Sequence, residues 1–122
     1  MTKTINGDRF RTLSGFYDEV GRSLVPHRVW GRNLNALREI LFELTLEKPL
    51  TLHWIHSAKS SVDLGYAETL RVLKMHRKHA PKDHRQVIQE FIMQAHDGKG
   101  KTFFDWIVQI MLENKDISLT LD

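Results

Sequence analysis

Cysteine is absent from the 122 residues. That excludes a disulfide framework, a thiolate metal site and a cysteine nucleophile, and it suits a reducing compartment. Long apolar runs are missing as well. Nowhere do about eighteen apolar residues follow one another, and Met1-Thr2-Lys3-Thr4-Ile5-Asn6-Gly7 has no run of signal-peptide length. A soluble, cytoplasmic chain with no membrane partner is therefore predicted. There is no glycine-rich phosphate loop and no His-Glu-x-x-His pair, and no spacing of serine and histidine singles out a triad. These absences predict a protein that is not an enzyme and carries no cofactor. Histidine is not scarce, with His76, His79 and His84 the densest group and His53 near His56, but Arg77, Lys78 and Lys82 stand beside the first group and oppose a cation. No metal site is predicted.

What is present fits one small domain spanning 1–122: 41% of residues are hydrophobic, enough for a modest core at this length. Lys3-Thr4-Ile5 reads as a short strand entering a turn at Asn6-Gly7, where glycine would supply a positive φ. Leu13, Phe16, Tyr17, Val20 and Leu24 follow a helical period, with Ser14 as N-cap, Asp18 and Glu19 in the first turns, and Pro26 at the end. A second helix runs from Asn33, its cap, to about Thr45, with Leu34, Leu37, Leu41 and Leu44 on one face. Leu50-Thr51-Leu52-His53-Trp54-Ile55 alternates as a strand, and Asp116-Ile117-Ser118-Leu119-Thr120-Leu121 does the same, with Ile117, Leu119 and Leu121 inward. Thr102 and Asp105 have capping-box spacing ahead of the apolar side Phe103, Trp106, Ile107, Ile110 and Met111 of a further helix, which stops at Asn114. Strands separated by helices pair in parallel through crossovers, so a two-layer α/β domain with helices on one side of the sheet follows.

Residues 65–101 differ in character. Two helical patterns, about 66–79 and 83–96, meet at Ala80-Pro81-Lys82 as a helical hairpin, and Asp97-Gly98-Lys99-Gly100-Lys101 reads as a loop. Eight lysines and arginines stand there against four acids, a net +4 in a chain of net +3, which leaves −1 for the remainder. Arg71, Lys74, Arg77, Lys78, Lys82 and Arg85 offer phosphate contacts to a nucleic acid, while a solvated helical face is the plainer reading. No aromatic platform interleaves with them to stack single-stranded bases.

Thr4-Ile5-Asn6-Gly7, Pro26 ahead of Trp30-Gly31-Arg32-Asn33-Leu34-Asn35-Ala36-Leu37, Pro49-Leu50-Thr51-Leu52-His53-Trp54 and Asp116-Ile117-Ser118-Leu119-Thr120-Leu121 together resemble the barstar family of ribonuclease inhibitors, in preserved order. The resemblance covers residues 2–56 and 102–122, about two-thirds of the chain, and makes 65–101 an inserted helical segment. It implies a three-stranded parallel sheet with helices packed on it. It also implies a function: a plug that blocks a ribonuclease active site, possessed by a nuclease toxin in an immunity setting, with the loop and helix at 29–43. Glu39 falls at the position of the family's anchoring acid, one methylene longer than the usual Asp. Trp30 matches the loop aromatic, Gly31 the glycine, Asn33 the cap, and Glu113 a further acidic contact, with Glu43 on the same helix. Departures accompany these matches: Val29 replaces a tyrosine, Asn35 and Gln109 stand where the family has acids, and Arg38 replaces an aromatic beside the anchor. The acidic surface is diluted, so steering toward a basic enzyme is weaker. The alternative reading is a barstar-fold binding module whose basic hairpin takes nucleic acid or an acidic protein.

Overall fold

A computed structural model describes all 122 residues. Strand β1 is Thr2–Asn6, followed by a 3-10 turn at Gly7–Arg9, α1 at Leu13–Leu24 and α2 at Leu34–Leu44. Strand β2 is Leu50–Ile55, then come α3 at Ser57–Asp63, α4 at Tyr66–His79, α5 at Lys82–His96, α6 at Phe103–Glu113 and strand β3 at Ile117–Leu121. The sheet has the order β1-β2-β3, all parallel, with Ile5 beside Trp54 and Trp54 beside Leu121. This is the predicted three-stranded parallel α/β architecture. Ile5, Leu50, Leu52 and Trp54 are buried under the helices, while Thr2, Thr4, Thr51, Ser118 and Thr120 lie exposed on the other face. Period-two alternation has sorted each strand into an apolar and a hydroxyl-rich side.

One hydrophobic cluster joins the sheet to every large helix, with Phe16 stacked on Trp54 at 5.4 Å between ring centres and Phe104 tilted against it at 5.1 Å. The hairpin α4–α5 joins this cluster through Val72, Leu73 and Ile92. Two further bonds tie α4 down: Glu68 accepts from the Leu13 N–H at 2.7 Å, and Thr69 Oγ1 accepts from the Phe103 N–H at 3.0 Å. Thr102 and Asp105 form the predicted capping box.

Several local expectations need correction. The N-cap of α1 is Thr12, not Ser14: its hydroxyl accepts from the Gly15 N–H at 3.0 Å. The first turn of α1 therefore has no acid, and Asp18 and Glu19 serve tertiary partners. Gly7 does not take a positive φ. It is required by close approach, since a Cβ there would stand 2.5 Å from the His56 carbonyl oxygen. Leu121, expected inward, is 43% exposed at the rim of the sheet. Helix α3 has a weak apolar period, with Ser57 and Ser60 as buried residues, and was not legible as a helix. His56 precedes it in the left-handed region (φ 56°).

Candidate partner-binding site

The segment 26–33 turns the chain from α1 into α2. Asn33 caps α2, its Oδ1 accepting from the Ala36 N–H at 2.8 Å. The bend before it is made by Arg32, at φ 54°, rather than by Gly31. Arg32 is held there by an ion pair to Asp18 at 2.6 Å and by bonds to the Ser14 carbonyl and hydroxyl, both at 3.2 Å. Those contacts offset the cost of a left-handed non-glycine residue, of order 1 kcal/mol. Gly31 is needed for space, because a Cβ would lie 2.7 Å from that of Ala36.

Trp30 is half-buried, with its ring edge-to-face on Tyr17 at 5.5 Å. It presents only part of its surface outward. Burial pushes the Tyr17 phenol up to about 12, against the lowering effect of nearby Arg32, so the platform beneath Trp30 stays neutral at physiological pH. Val29 beside it is 96% exposed.

On α2 the stripe Leu37, Ile40 and Leu41 is buried, which turns Asn35, Arg38, Glu39, Phe42 and Glu43 to solvent. Four of the sequence-predicted residues meet in one polar chain between α2 and α6. Arg38 donates to Glu113 at 3.1 Å and to the Asn35 side-chain oxygen at 3.4 Å, Gln109 donates to Glu113 at 3.5 Å, and Lys101 donates to Gln109. Glu43 lies apart from them, paired with Arg28 at 2.7 Å. Glu39 has neither an ion pair nor a hydrogen bond inside the chain, and is the one acid of α2 in that state. Its carboxylate is available to donors on another molecule.

The chain belongs to the barstar family. The model of the family described as Barstar (barnase inhibitor) matches residues 1–103, from β1 through the first residue of α6, and so takes in the hairpin as well as the loop and α2. No curated protein matches the chain. Family membership together with the parallel sheet gives a ribonuclease-inhibitor type of fold, as the motif at 30–37 implied.

Sequence reasoning passed over Phe42, which is 62% exposed, and Leu46, at 65%. With Leu41, Thr45 and Ile110 they line a groove of about 490 Å³ between the ends of α2 and α6, with Arg38 and Glu113 at its rim. The available signal was angular: Phe42 is a large apolar residue off the Leu34-Leu37-Leu41-Leu44 stripe, hence on the wet side of its helix.

Proposed function

We propose that this chain is a stoichiometric inhibitor of a ribonuclease, of the toxin-immunity type, that covers the enzyme's active site with residues 29–43 and the adjoining Gln109 and Glu113. The observation that carries this reading is the unpaired, exposed carboxylate of Glu39 on a helix capped at Asn33 and anchored by three buried side chains. A rigidly held carboxylate accepts the charge-assisted bonds that Arg, Lys or His would otherwise give to substrate phosphate. No bond is made or broken by the inhibitor. Around Glu39 the acids are already engaged, Glu113 by Arg38 and Glu43 by Arg28, so the surface has one strong anchor rather than a broad acidic field. Exposed Val29 and Phe42 then supply apolar contact where acids are lacking. Inhibition of barnase and of any ribonuclease recovered from the native host tests the reading. Glu39→Ala should weaken inhibition by about 2–5 kcal/mol, roughly 30- to 5,000-fold. A change within about a factor of two would sink the mechanism.

A second reading rests on the hairpin. Arg71 is bound to Glu68, Arg77 to Gln89 and Arg85 to the Ala80 carbonyl, yet Lys74, Lys78 and Lys82 are exposed and unpaired. Three free lysines on one hairpin suit phosphate contacts. A gel shift at low salt that Lys78→Glu abolishes would support nucleic-acid binding; no shift at low salt removes it.

A further inference from the structure

The two edges of the sheet are treated differently. In β1 the Met1 carbonyl accepts from Thr51 N–H at 2.8 Å, so alternate residues 1, 3 and 5 turn their backbone groups to β2, and 2, 4 and 6 turn theirs outward. That outward side is occupied by α1: the buried Glu19 carboxylate accepts from Asn6 N–H at 2.8 Å, and the Ser23 hydroxyl donates to the Thr4 carbonyl. In β3 the alternation runs the other way. Leu50 N–H donates to Asp116 at 2.8 Å and Asp122 N–H donates to Trp54 at 2.9 Å, so even residues face β2 and the groups of 117, 119 and 121 face away. Ile117 N–H is taken by the Asn114 carbonyl at 3.1 Å. No side chain takes the outward groups of Leu119 or Leu121. Open edges of natural sheets are usually guarded by charge, proline or a covering element, and Ile117–Leu121 has none of these.

Apolar surface continues from this edge onto α6. Phe104 packs on Trp54, the register neighbour of Leu121, and Phe104, Val108 and Leu112 form a stripe at four-residue spacing. Leu112 is 63% exposed and Leu121 43%.

We propose that the β3 edge pairs antiparallel with the β3 edge of a second copy of this chain, joining two three-stranded sheets into one of six strands. With the two-fold at Leu119, the outward groups of Leu119 pair with their own copies and the Leu121 N–H reaches the Ile117 carbonyl, while the Ile117 N–H stays with Asn114. Between them stands no charge of either sign, so the strand is complementary to itself, and the apolar stripes of both α6 helices meet beside the seam. The assembly stops at two copies, because α1 lies along the β1 edge and takes the Asn6 N–H and the Thr4 carbonyl through Glu19 and Ser23. Asp116 of one copy lies opposite Asp122 of the other; each Asp122 carboxylate already contacts His53 of its own chain, which relieves part of the repulsion, and salt screens the rest, so association tightens at higher salt.

Sedimentation equilibrium of the 122-residue chain, from low to high micromolar concentration, is the test. The apparent mass should rise from 14.3 kDa to twice that value, and rise sooner at higher salt. Leu121→Pro deletes one outward N–H without touching the pairing to β2, and Leu121→Lys adds a like charge to each side of the seam; both should hold the protein monomeric with its thermal unfolding still cooperative. A chain that stays monomeric at every concentration overturns the proposal. So does a dimer that both variants leave intact, or a dimer lost on Phe42→Arg instead. A monomer in which Leu121→Pro weakens binding to a nuclease overturns it in favour of a foreign strand at this edge.

Discussion

Glu68 illustrates how a single buried acid holds distant segments together. Burial alone would raise its pKa, but hydrogen bonds from Arg71 and from the Leu13 N–H outweigh that and hold it below the ordinary glutamate value. A lowered carboxyl pKa in the folded state contributes stability that is fully present above the unfolded-state value. That contribution is lost as pH falls through the folded one. Denaturant unfolding across the acid range should therefore show a loss of stability that Glu68→Gln reduces, since the amide oxygen still accepts from Leu13 but no longer titrates. Glu68→Ala should cost about 1–3 kcal/mol even at neutral pH, because the Leu13 N–H is left buried and unpaired. At this scale the sequence is legible where one residue type has one local use. Asn33 before an apolar period is a cap, and the Thr102 and Asp105 spacing is a capping box. It is illegible where the partner lies far along the chain, as for Glu68 with Leu13, Arg32 with Asp18, or Gly7 against His56.

Helix boundaries followed from caps and periods, and the misreadings have local causes. Ser14 is by type at least as good a cap as Thr12, yet the Gly15 N–H bonds to Thr12, so residue type alone misplaces the cap. Helix α3 is seven residues long, started by a left-handed His56 and completed by Ser60 accepting from the Trp54 indole at 3.0 Å, so tertiary contacts rather than a repeat define it. Helix α6 gives the cleaner test. Thr102→Ala removes the cap bond to Asp105 N–H and should cost about 1 kcal/mol in urea unfolding. Glu39 lies on a different helix, so its effect on nuclease inhibition should be unchanged in that variant. The face of α2 was readable as to which residues point outward. Which of them are free was not, since the Arg38–Glu113 and Arg28–Glu43 pairs join positions distant in sequence.

At the scale of the molecule, the order strand, helices, strand, helices, strand carried the parallel sheet, because crossovers of that length leave few other arrangements. The place of the hairpin was not readable. Val72, Leu73 and Ile92 share the cluster that holds Phe103 and Ile107. Excising 65–101 for a short linker should accordingly lower the unfolding midpoint rather than leave it unchanged, with the loss readable by calorimetry and new apolar exposure readable by dye binding.

Strand β2 lies between two partners that are both remote in sequence, β1 behind two helices and β3 beyond four. Neither pairing forms by local closure, whereas α4 and α5 meet across a short turn and form early. By loop length, the docking of β3 on β2 is expected to be the last closure, which stopped-flow refolding of a β3 variant such as Leu119→Ala would read as a change in the unfolding limb with little change in the folding limb. A chain in which β3 has yet to dock would leave one side of β2 bare, so misassociation on refolding should rise in variants that weaken β3.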